Sequence, residues 1–319
     1  MTTRTSKSPD APAGKQGFSL ISNEKLLALY AAMLRCRLLE ERIGSLSAKK
    51  ELAAFRDQEA IAAGIVPGLL SEDSICAPRG DLAPQFLKGV SLTAIVSAVL
   101  ASNRKRGRAP IDALSADADQ VNVLPSPKIF SARLEATIRA ARLGMNGKRK
   151  KIAVLFLSAE ESADALWEAS LRSAAAARLP VLFVCQAGAR AADLARQAQR
   201  CGLPGIAVDR EDVVAIYRVA SEAIAHARRG NGPTLIEWVR WKVQGTHRRS
   251  SAGNAVRTME NYLASKGLFQ PEFKAEVIAE FTRELDRALP KAGRVSRNRS
   301  ATKARTAQSK SNRRARLEK

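Results

Sequence analysis

Apolar residues recur at helical spacing through ISNEKLLALYAAMLRCRLLEERIGSL, where Leu26, Leu29, Met33, Leu34, Leu38 and Ile43 share a side and Ser22 stands at the cap position. A second helical pattern, FRDQEAIAAGIVPGLL, is predicted to break at Gly64 and Pro67. The stretch PRGDLAPQFLKG reads as turns, SLTAIVSAVLAS as helix, and FSARLEATIRAARLGM as helix again. Between the last two, residues 103–128 are polar with three prolines, and the pattern predicts a loop or a poorly ordered excursion.

From residue 152 the period changes. IAVLFL is a short apolar run that reads as a strand, and PVLFVC, LPGIAV and PTLIEWVRW read as three more. Helical patterns separate them. Ser158 and Glu161 have capping-box spacing, Pro180 ends the first helix, and Asp209 is placed to cap DVVAIYRVASEAIAHARR. Strands alternating with helices at this spacing predict an α/β fold, a parallel sheet flanked by helices. Helical extensions precede and follow it. In the final one Phe273, Val277, Phe281 and Leu285 form a stripe that reads as core or subunit contact.

Composition adds a division of the chain. The 319 residues carry a formal net charge of +22, and 45% are hydrophobic, enough for one large core. Residues 291–319 hold eleven Lys or Arg against Glu318 alone, and residues 1–17 hold three basic residues against Asp10. The remaining body, 18–290, therefore carries a surplus of +10. The C-terminal segment has two branched apolar residues, Val295 and Leu317, and no aromatics, so it cannot repay ordering by burial. Both termini are expected to be disordered. The basic tail is either a solvated appendage or a contact for nucleic acid or another acidic partner, without the aromatics that stack bases. Four scattered cysteines exclude a disulfide scaffold, and no run reaches membrane-spanning length, so the expectation is a cytoplasmic protein with no membrane partner.

In open α/β folds ligands bind at the carboxyl ends of the strands. Those ends carry Ser158, Ala159, Glu160 and Glu161, then Gln186, Ala187 and Gly188, then Asp209, then Gln244 to His247. Glu160 and Glu161 read as capping residues or as part of a cation site, and two acids in a Gly-free turn repel phosphate. His247, beside Arg248 and Arg249, is a candidate acid/base or part of a basic surface. Arg79 orients an anionic group or forms a structural ion pair. His226 reads as surface, and Cys185 as a buried small residue.

Residues 179–245, with CGLPGIAVDREDVVAIYRVASEAIAHARRGNGPTLIEWVRWKVQG, resemble the alpha subunit of the thiamine-diphosphate-dependent, decarboxylating first component of 2-oxo acid dehydrogenases of the pyruvate and branched-chain type. That family combines "GxPxxxVDGxDxxAV" with "GxGPxLIE", and both patterns stand here nearly intact. MLRCRLLEERIGSL resembles its opening helix, FRDQEAIAAGIVPGL its "GQEAxxxG" segment, and PRGDLAPQFLKGVS its "YRxHxxxxxxG" segment. The resemblance spans roughly residues 20–290, weakly over 103–150, and implies the thiamine-diphosphate-binding fold. It further implies a homodimer or pairing with a beta-type subunit.

The family holds its cofactor through a GDG turn and an Asn-Asn pair, whose Asp and Asn bind the magnesium bridging to the diphosphate. Here the GDG turn falls on Ser158, Ala159 and Glu160, and the Asn pair on Ala187 and Gly188. Glu160 is one position out as a metal ligand. The family's tyrosine and histidine around Arg79 are Pro78 and Asp81, its Gly before Gln-Glu-Ala is Asp57, and its "RxxGH" motif leaves His247 displaced by one. These departures point to a divergent alpha-type subunit that does not hold thiamine diphosphate and Mg by itself and serves as a structural or regulatory partner. Two alternatives stand beside it. One is an active enzyme that decarboxylates a 2-oxo acid with thiamine diphosphate and passes the acyl group to a lipoyl domain. The other is a polyanion-binding protein using residues 291–319.

Overall fold

The computed structural model describes residues 21–46, 58–78, 80–102, 115–147, 149–158, 160–187, 193–239 and 254–290. The expectations for 1–17, 103–114 and 291–319 lie outside these residues. Five strands form one parallel sheet: β1 (Ser74–Cys76), β2 (Ala153–Leu157), β3 (Val181–Gln186), β4 (Gly205–Asp209) and β5 (Thr234–Val239), in the order β1-β2-β3-β5-β4. Eleven helices flank it among the described residues. They are α1 (Asn23–Leu46), α2 (Glu59–Ile65), α3 (Ala83–Lys88), α4 (Leu92–Ser102), α5 (Ser115–Gln120), α6 (Phe130–Gly144), α7 (Trp167–Ala176), α8 (Leu194–Arg200), α9 (Val213–Arg228), α10 (Ala255–Ser265) and α11 (271–290). No described helix is long and apolar enough to cross a membrane.

The strand side chains alternate between two cores, as a period of two dictates. Val154, Phe156, Leu182, Val184, Ile236 and Trp238 join α1, α2, α4, α9, α10 and α11 on one face. Ala153, Leu155, Leu157, Val181, Phe183, Cys185 and Leu235 join α6, α7 and α8 on the other. This double burial explains why β2 is apolar throughout, β3 as far as Cys185, and β5 apart from Thr234 and Glu237. Phe281 and Leu285 of the C-terminal stripe are buried in the first core, and Phe273 and Val277 pack against it.

Several local expectations are corrected. Gly64 does not break α2; a Cβ there would lie 2.5 Å from Ile216 Cγ2 of α9, so glycine permits the two helices to touch. The break falls at Pro67, in a 3-10 turn. PRGDLAPQFLKG contains α3, ended by Gly89 in the left-handed region at φ 111°. Within 103–128, Ser115–Gln120 is helical rather than loop, and Val123 forms an isolated parallel bridge to Ile75 on the outer side of β1. Asp209 does not cap α9. It stays in β4 opposite Val239, and the Asp212 carboxylate accepts the Ala215 N–H instead, at 2.9 Å. The helix after Ser158 also starts late: a 3-10 turn at Glu161–Ala163 precedes α7.

Candidate functional site

The carboxyl ends of β2, β3 and β5 meet the start of α2 and the turn before α3 around a recess. Phe156, Val184 and Trp238 form its apolar wall, and Gln58, Asp81, Ser158 and Gln186 its polar one. Among the described residues the hollow holds about 20 Å³. That is room for one water, against the ~300–1,000 Å³ of ordinary small-molecule sites.

Ser158 lies on the recess as expected from its place at the end of β2. Its N–H donates to Glu161 Oε2 at 3.0 Å, which is one half of the predicted capping box. The other oxygen of Glu161 accepts from Arg133 Nη2 at 2.5 Å, so both oxygens are engaged in holding the turn. Arg133 comes from α6, is 3% exposed and lies over the Phe130 ring. Glu160 points to solvent; the Ser158 hydroxyl and its own N–H hold its carboxyl below the usual range. Ala187 is pinned beside β5 by its N–H, which donates to Trp238 O at 3.0 Å. Arg79, Ala159, Gly188 and His247 lie outside the described residues. Cys185 is buried in β3, where burial and then the Glu237 and Glu161 carboxylates push its thiol well up, so it has the inert character expected of it.

Asp81 was legible only as the residue standing where the resembling family has histidine. In the structure its carboxyl is buried, and Oδ1 has no hydrogen-bond partner among the described residues. Burial alone pushes its pKa up to about 7. The surrounding field is acidic: Glu40, Glu59 and Asp81 all add to the burial that raises the Cys36 thiol. Glu59 pairs with Arg37, which also reaches Asn254 Oδ1 at 2.5 Å, the atom that caps α10. An orphaned buried acid is the signal of a polar site, and it becomes visible only once burial is known.

Chemically, this recess can hold a proton near neutral pH and bind one small hydrogen-bonding molecule. Among the described residues no group of three or more His, Cys, Asp or Glu side chains could hold a metal ion.

A parallel sheet with helices on both faces and helical extensions defines the chain as an α/β protein of the open-sheet type. The sequence profile of the dehydrogenase E1 component family matches residues 30–296. The chain belongs to that family, as an alpha-type subunit of the 2-oxo acid dehydrogenases. It is 28% identical over 248 residues to the alpha subunit of acetoin:2,6-dichlorophenolindophenol oxidoreductase of Bacillus subtilis, covering 72% of this chain and 74% of that one. It is 28% identical over 250 residues to the pyruvate dehydrogenase E1 component subunit alpha of Porphyra purpurea, covering 70% and 72%. The corresponding subunit of Staphylococcus aureus matches at 27% over 304 residues, covering 85% and 79%.

Proposed function

We propose that this alpha-type subunit does not bind thiamine diphosphate and Mg by itself and acts as a structural or regulatory partner, in a homodimer or with a beta-type subunit of a 2-oxo acid dehydrogenase. The observation that carries the reading is the carboxyl end of the sheet. The motif positions Ser158, Ala159, Glu160, Ala187 and Gly188 offer neither the Asp nor the Asn ligand of magnesium, and the recess beside them presents the buried acid Asp81. The fold residues are retained by contrast. Asp212 caps α9, and Glu237 of β5 accepts the Ala195 N–H at the start of α8. Fold and site rest on different residues, so one can persist without the other. The relatives' names, which designate alpha subunits of pyruvate dehydrogenase and of an acetoin oxidoreductase, support assembly with a second kind of chain.

Calorimetry with thiamine diphosphate and Mg²⁺ tests the reading. No saturable, Mg²⁺-dependent heat is expected from the full chain alone. Micromolar binding that requires Mg²⁺ overturns the proposal.

A further inference from the structure

We propose that a basic recess at the amino ends of the strands, opposite the site above, binds a phosphorylated small molecule. The recess encloses about 380 Å³ and is bounded by Met145, Lys150, Ala176, Arg178, Pro180 and Arg229. Its lining contains three cations and no acid. That volume lies within the ordinary range for small-molecule sites, and Met145, Ala176 and Pro180 offer an apolar wall for an organic body.

The cations are available. Arg178 and Arg229 are exposed and make no ion pair among the described residues. Lys150 Nζ donates one hydrogen bond, to Met145 O at 2.6 Å, leaving two of its three protons. Its backbone is fixed from behind, where Arg228 donates to Lys150 O at 3.1 Å and pairs with Asp73. Guanidinium forks match phosphate oxygens in pairs, which is what two unpaired arginines beside one lysine supply.

Helices α6, α7 and α9 end near the recess, and each carboxyl terminus carries roughly −0.5 charge. Three side-chain cations exceed that sum by roughly 1.5 charges, so a net attraction for anions remains. Arg178 adds a second observation. Its φ is 48°, in the left-handed region that is unfavourable for a non-glycine residue. Glycine would meet the backbone demand of this turn without strain, and arginine adds a charge at the recess.

The test titrates ADP and, separately, ribose 5-phosphate into the full chain at ~0.15 M salt, where exposed charges are largely screened. Saturable one-site binding is expected for at least one probe, weakened at least tenfold in both R178G and R229Q. R178G relieves the strained φ, so its unfolding midpoint should match or exceed that of the unchanged chain, which separates loss of binding from loss of fold. Absence of binding by both probes overturns the proposal. So does binding that stays within twofold in both variants, which would place the contact elsewhere on a chain of charge +22. The recess shares no residue with the carboxyl-end site, and the same variants assign any heat from thiamine diphosphate itself: heat lost in R178G and R229Q belongs to this recess, and heat that persists in both belongs to the carboxyl-end site.

Discussion

Asp73 and Asp81 sit at opposite ends of the same sheet, both buried, in contrasting surroundings. At the amino end, Asp73 Oδ1 accepts from Ile152 N–H and Oδ2 from Leu70 N–H, each at 2.8 Å, and Arg228 Nη2 closes the set at 2.6 Å. This one side chain ties the approach to β1, the approach to β2 and the end of α9. At the carboxyl end, Asp81 Oδ1 meets no donor among the described residues. The amino end is a fastening; the carboxyl end holds an uncompensated polar group of the sort retained at sites rather than in scaffolds.

The contrast can be broken most strongly at Asp73. Asp73→Ala leaves Arg228, 13% exposed, without its counter-ion, and a loss of about 3–5 kcal/mol is expected in urea unfolding. A loss under ~1 kcal/mol would show that the fastening is solvated and the comparison false.

Asp81 should move stability the other way. Its carboxyl titrates near 7 in the folded chain against 3.8 ordinarily, so the native state binds the extra proton between those values. Stability therefore falls as pH rises from about 4 to about 7, and the full penalty, on the order of 4 kcal/mol, stands above pH 7. Asp81→Asn removes the charge and keeps the shape. It is expected to raise the unfolding free energy at pH 8 by a few kcal/mol and to change little near pH 4, as read from urea curves at both pH values. Equal effects at the two pH values would mean the carboxyl is not held protonated.

The smallest expected effect sharpens the contrast within a single helix. Asp212 caps the start of α9 near the carboxyl end, while Arg228 fastens its other end. Asp212→Ala should cost about 1 kcal/mol in thermal or urea unfolding, well below Asp73→Ala. A cost above that of Asp73→Ala would reverse the order of the two ends.

Much of the fold was legible because strands buried on both faces leave a signature that helices do not share. IAVLFL and PVLFVC are apolar without interruption, PTLIEWV is apolar apart from Thr234 and Glu237, and each is a strand. SIC is too short to carry any period, so β1 was missed. Gly64 read as a breaker because the cause of its conservation of space, Ile216, lies far along the chain. Asp209 and Asp212 are equally good caps by composition; the choice between them depended on β4 pairing as far as Val239. At the site, Ser158 and Glu161 were found from spacing, since capping is local. Arg133 and Asp81 were not, since their roles arise from burial and from partners on other elements.

The isolated bridge at Ile75 has a consequence for assembly. Ile75 N–H donates to Asn122 O at 3.0 Å, and Ile75 O accepts from Leu124 N–H at 2.8 Å, both on the outer side of the three-residue β1. The backbone groups that a foreign strand would need there are already occupied by the chain itself. Growth of the sheet by strand addition is therefore closed at Ile75, and a partner subunit meeting this flank must dock through side chains and helix faces.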